Sequence, residues 1–129
     1  MGSRTSVLIV DDDAVITRAL RRLLASDHDV TIANHPAEAL ALVRAGQWFD
    51  AILCDVVMPA MSGVQLHREL AALSPAQAAA TILMTGGSIP RDAAELLASG
   101  IPALPKPFDL DQLHGALAQL RSGVPDRAR

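Results

Sequence analysis

Apolar residues in this chain gather in short, largely unbroken runs at positions 7–10, 30–33, 51–54, 82–84 and 103–104, each about the length of a buried strand. The runs lack alternation with polar residues, which points to strands covered on both faces. The stretches between them carry a different period. Ile16, Leu20, Leu23 and Leu24 fall at helical spacing, as do Leu66, Leu70 and Leu73, and again Leu113, Leu117 and Leu120.

Punctuation residues agree with these periods. Pro36 stands where a first helical residue belongs, Glu38 follows in the first turn, and Gly46 lies just past Ala45, where a left-handed cap is expected. Asp109 followed by Gln112 has the spacing of a capping box, and Gly100 is placed to close the helix that holds Ala93, Leu96 and Leu97. The pattern predicts five strands alternating with five helices. Parallel neighbours need crossover connections, so strict alternation implies a parallel sheet with helices on both faces, a three-layer α/β sandwich. Residues 5–121 are expected to form one domain, and residues 122–129 a polar tail or the start of a linker, with Ser122, Gly123 and Pro125 as its first signals.

Composition narrows the reading. The 129 residues are 50% hydrophobic and 19% charged, so the chain can build a core, and a net charge of −3 gives no electrostatic reason to expect direct nucleic acid binding. A single cysteine, Cys54, permits neither an internal disulfide nor a cysteine-rich zinc site. No apolar stretch approaches the roughly 18 residues of a membrane span, and the first residues lack a signal-peptide core, so a cytoplasmic, membrane-free protein is expected.

Ligands of an open parallel α/β sheet bind beyond the carboxyl ends of its strands, so the residues after each apolar run are candidates for chemistry. These are Asp11, Asp12 and Asp13 after the first run, Asp55 after the third, Thr85 with Gly86 and Gly87 after the fourth, and Lys106 before Pro107 after the fifth. Two unit charges 4 Å apart cost about 4 kcal/mol at an effective dielectric of 20, so converging carboxylates need compensation. Protonating one acid is one answer; a hard divalent cation is another, and Mg2+ suits an oxygen-only cluster. Asp55, alone at the end of a middle run, is placed as a nucleophile toward phosphorus. Lys106 and the Thr85 hydroxyl supply positive charge and a hydrogen bond to the transferring oxygens.

Val10-Asp11-Asp12-Asp13, residues 55–63 with Met58-Pro59, Thr85-Gly86-Gly87 and Lys106-Pro107-Phe108 together resemble the receiver domain of two-component response regulators over nearly the whole chain. The spacings are 43 residues from Asp12 to Asp55, 30 to Thr85 and 21 to Lys106. The resemblance implies a doubly wound, flavodoxin-like sheet of order 2-1-3-4-5. It implies that Asp55 accepts a phosphoryl group from a sensor histidine kinase or phosphotransfer protein. Asp11, Asp12, Asp55 and the carbonyl of Val57 would hold Mg2+, Thr85 and Lys106 would contact the phosphoryl oxygens, and Lys106-Pro107 would be cis. Such a protein is a switch that catalyses only its own phosphorylation and dephosphorylation, and a homodimer stays open.

One departure stands out. The position three residues before the lysine, usually aromatic in this family, is Ala103, so the ordinary threonine–aromatic relay is expected to be missing and motion at Gly86 and Gly87 to replace part of it. Apolar Val57 offers little help to an attacking water, which implies a long-lived phosphoryl state. Two rivals are a small magnesium phosphatase of the haloacid dehalogenase kind, with Asp11 as nucleophile and Asp13 as general acid, and a receiver-like scaffold that is never phosphorylated. The remaining residues read more plainly. Asp13 is expected to cap the first helix, Arg18, Arg21 and Arg22 to form a solvated face on a helix that the family commonly uses for kinase docking, and Cys54, Trp48 and Phe49 to pack. His28, His35, His67 and His114 are assigned surface or helix-end roles.

Overall fold

The computed structural model describes residues 5–122. Strands β1 (Thr5–Val10), β2 (His28–Ala33), β3 (Ala51–Asp55), β4 (Thr81–Thr85) and β5 (Ala103–Pro105) form one parallel sheet of order β2-β1-β3-β4-β5. Helices α1 (Ala14–Leu24), α2 (Pro36–Arg44), α3 (Gly63–Leu73), α4 (Pro75–Ala78), α5 (Arg91–Ala98) and α6 (Leu110–Ser122) connect and follow the strands.

Strand residues divide by parity between two cores. Val7, Ile9, Leu53, Ile82 and Met84 face one way, where Leu20 and Leu24 of α1 and Leu113, Leu117 and Leu120 of α6 cover them. Leu8, Val10, Ile52, Cys54 and Leu83 face the other way, against Leu40 of α2, Leu66 and Leu70 of α3 and Ala93 of α5. Burial on both faces is why these strands read as continuous apolar runs.

The ends of the helices follow their local chemistry. Pro36 occupies the first turn of α2, and Gly46 and Gly100 take φ of +95° and +116° after α2 and α5, a region costly for any side chain. Asp109 and Gln112 exchange hydrogen bonds of 2.8 Å in each direction.

Several expectations need correction. The described residues include a sixth helix, the single turn α4, started by Ser74 accepting from the Gln77 amide with Pro75 following it. Trp48 is 49% exposed instead of packed, its indole donating to Asp50 while Phe49 alone is buried. Leu23 and Leu73 lie at the margins of their stripes and are partly exposed. His28 is a buried residue at the start of β2, its ring edge-on to that of His114 with centroids 5.8 Å apart. Helix α6 ends at Ser122, and the expected tail beyond it lies outside the described residues.

Gly115 sits in the interior of α6 on the exposed side, at negative φ, with no atom within 4 Å of where a Cβ would stand. Nothing there requires glycine. Gly115→Ala is therefore expected to stabilise the domain by about 0.5–1 kcal/mol in urea unfolding, and an unchanged or lowered midpoint would contradict this placement.

Candidate phosphoryl and metal site

The sheet order reverses direction between β1 and β3, and this switch point is where an open α/β sheet leaves a crevice at its strand ends. Val10 pairs with Cys54 in register, so Asp11 and Asp55 stand side by side one step further on. Asp11 extends the β1–β2 ladder, its amide donating to the Ala33 carbonyl at 3.2 Å. Carboxylate oxygens of Asp11, Asp12 and Asp55 all lie within 4.8 Å of one another. Asp11 and Asp55 are buried and Asp12 is exposed.

Lys106 enters from two strands away. Its backbone amide donates to the Thr85 carbonyl at 2.8 Å, and its Nζ lies 3.3 Å from Asp11 Oδ2 and 3.2 Å from Asp55 Oδ1. The Lys106–Pro107 peptide bond is cis. Thr85 closes β4, buried, one step beyond Met84, which is the register partner of Asp55. Val57 stands two residues past Asp55 with its side chain 67% exposed.

Asp13 has a separate task. Its Oδ1 accepts from the Val15 amide at 2.9 Å and the Ile16 amide at 3.4 Å, capping α1. The consecutive acids thus divide into two that enter the cluster and one that starts a helix. Asp13, the general acid of a phosphatase scheme, is engaged here through Oδ1 as the cap of α1.

Two structural residues escaped the sequence reading. A Cβ on Gly63 would stand 2.5 Å from the Asp55 carbonyl oxygen, so α3 can begin only with glycine against the end of β3. The Gly63 amide donates to the Val56 carbonyl at 2.9 Å, folding the loop back on itself, and Ser62 and Gln65 form a capping box beside it. The Ser-x-x-Gln spacing was the available signal. The second is Asn34, whose side-chain amide donates to the Asp11 carbonyl at 2.9 Å.

The electrostatics are unbalanced. Three carboxylates face one ammonium, and Asp55 is raised above the ordinary carboxylate range, first by burial and then by the charge of Asp11, while Lys106 pulls the other way and Asp12 adds a smaller push upward. Burial lowers Lys106, but the attraction of Asp11 and the bond to Asp55 outweigh it and leave the ammonium held above its usual range. Cys54, buried beneath Asp55, is pushed upward by burial and by the neighbouring carboxylates and stays a thiol. A compact, oxygen-only donor set, short of positive charge and open to water on the Asp12 side, fits a hard divalent cation.

A folded-state value above the unfolded one means that Asp55's contribution to stability is fully present below the ordinary carboxylate range and is lost as pH rises through the raised value. Without divalent cation at neutral pH, Asp55→Asn is expected to unfold at higher urea than the wild type. The gap should close as pH falls toward about 4, the ordinary aspartate value. A wild type more stable than the variant at neutral pH would contradict the charge imbalance.

Comparison with known proteins agrees with this geometry. Residues 7–118 match the response regulator receiver domain. The chain is 39% identical over 113 residues to the transcriptional regulatory protein ZraR of Escherichia coli (strain K12), covering 86% of this chain and 25% of that protein. It is 36% identical over 124 residues to the response regulator MprA of Mycobacterium leprae (strain TN), covering 95% and 54%. The chain thus spans between a quarter and about half the length of these relatives. Among solved structures, the chemotaxis protein CheY4 of Vibrio cholerae is similar at 28% identity with a TM-score of 0.76, covering 92% of this chain and 99% of that one. No helix among the described residues is long and apolar enough to cross a membrane. With its fold, its strand-end acids and its matched span in agreement, the chain belongs to the response regulator receiver domain family of two-component systems.

Proposed function

We propose that this receiver domain accepts a phosphoryl group on Asp55 from a phosphohistidine of a sensor kinase or phosphotransfer protein, with Mg2+ held by Asp11, Asp12, Asp55 and the Val57 carbonyl. The observation that carries this reading is the placement of Lys106 Nζ within 3.3 Å of both Asp11 and Asp55, which puts one cation against the nucleophile and its neighbour. Bound Mg2+ supplies charge that neutralises the transferring oxygens. The chain's own residues do the rest. A carboxylate oxygen of Asp55 attacks phosphorus, the phosphorus–nitrogen bond of the donor breaks, and the freed imidazole leaves with the bonding pair and takes up a proton. Lys106 and the Thr85 hydroxyl bind phosphoryl oxygens from the side of β4 and β5.

Burial of Asp55 suits this role, because a poorly solvated carboxylate next to fixed positive charge is a better nucleophile than one fully hydrated. The exposed side chain of Val57 offers no proton acceptor to a water approaching the acyl phosphate. Ala103, whose side chain is exposed on edge strand β5, leaves no ring to move with Thr85, and motion of the β4–α5 connection at Gly86 and Gly87 takes over part of the switch. Gly86 and Gly87 in that connection have open space around them, and neither takes a positive φ.

Incubation with Mg2+ and acetyl phosphate, followed by mass-spectrometric mapping, is expected to place the adduct on Asp55 and to give none on Asp55→Asn. An adduct on Asp11 would support the phosphatase instead, and no adduct under any condition the unphosphorylated scaffold. Loss of phosphate from Asp55 is expected to be slow and to quicken severalfold in Val57→Asn, where an amide can hold water. Rapid loss from the wild type would contradict the role given to Val57.

A further inference from the structure

We infer that Asn34 is a positioning residue for the divalent-cation site, holding the backbone that carries Asp11 and Asp12; this rests on the proposed reading of the acidic cluster as a metal site. Asn34 follows β2, outside the cluster, in an exposed position that strand and helix periods pass over. Its Nδ2 donates to the Asp11 carbonyl at 2.9 Å and to Thr17 Oγ1 at 3.1 Å, and its backbone amide donates to Glu38 Oε1 at 2.9 Å. The orientation of the amide is fixed by its partners. A carbonyl can only accept, and the Thr17 hydroxyl spends its one hydrogen on the Ala14 carbonyl at 3.1 Å, so both require the NH2 end of Asn34.

The turn of three acids is held by hydrogen bonds at both ends. Asp13 is tied down as the cap of α1. At the other end the Asp11 amide is bonded to Ala33, its Oδ1 accepts from the Asp13 amide at 3.0 Å, and its carbonyl is held by Asn34. Asp12 lies exposed between them, and its direction is set by the backbone on either side. Of the bonds to Asp11, the one from Asn34 is made by a side chain that belongs neither to the acidic turn nor to Lys106, and it joins the end of β2 to the first turn of α1 across that turn. Mg2+ demands near-ideal octahedral geometry and tolerates little slack in its ligands. Residues that orient ligands from outside typically affect metal affinity by tenfold or more.

Two variants and calorimetric Mg2+ titration of the folded protein test this. Asn34→Ala is expected to weaken Mg2+ about tenfold, with the Asp13 amide resonance displaced. Asn34→Asp keeps the shape but turns an acceptor toward the Asp11 carbonyl. Its added negative charge would by itself tighten Mg2+, so weaker binding in this variant separates positioning from bulk charge. Affinities equal to the wild type in both variants, with any loss confined to metal-free unfolding, would overturn the inference and leave the reading of the site intact. Tighter binding by Asn34→Asp would also overturn it. A wild type that binds no Mg2+ would overturn the reading of the site and this inference together.

Discussion

Three carboxylates facing one ammonium is the constraint on which the structure of this domain turns. Asp11 and Asp55 are buried side by side, and among the described residues Lys106 spans them. Like charges gathered in a partly dry crevice raise the free energy of the folded protein unless a cation joins them or one acid takes a proton. The upward displacement of Asp55 is the mark of that unresolved charge. A site left in this condition is poised to bind positive charge.

The sheet supplies the rigidity that the charge cluster requires. The central strands β1, β3 and β4 are buried on both faces, while edge strands β2 and β5 are partly exposed, so the central strand ends are fixed in register and the loops beyond them stay accessible. Close approach at Gly63 presses the start of α3 against the Asp55 carbonyl, and the amide of Lys106 is bonded to Thr85. Three segments distant in sequence, carrying Asp11 and Asp12, Asp55, and Lys106, are thereby set with their charged groups a few ångströms apart.

Much of this could be read from the chain. Strands buried on both faces leave continuous apolar runs, and polar residues that interrupt them at strand ends are conspicuous, which is why Asp11, Asp12, Asp55, Thr85 and Lys106 could be singled out. Caps were legible at Pro36, Gly46, Asp109 and Gly100 because each depends on local backbone chemistry. What escaped depends on distant partners. Trp48 and Phe49 are neighbours of similar hydrophobicity, and only the tertiary structure decides that one is exposed and the other buried. His28 carries no periodic signal for its burial beside His114. Asn34 resembles any polar loop residue until β2 is paired with β1 and its amide comes within reach of Asp11. Helix α4 is a single turn, too short for periodicity to reveal.

The most direct test of the charge-gathering account is a Mg2+ titration followed in the amide spectrum of the isotope-labelled protein. The account predicts one saturable set of shifts centred on Asp11, Asp12, Asp55 and Val57 and reaching Thr85 and Lys106, absent from Asp12→Asn at the same Mg2+ concentrations. Shifts scattered over surface carboxylates without saturation, or a saturable response unaffected by Asp12→Asn, would contradict it.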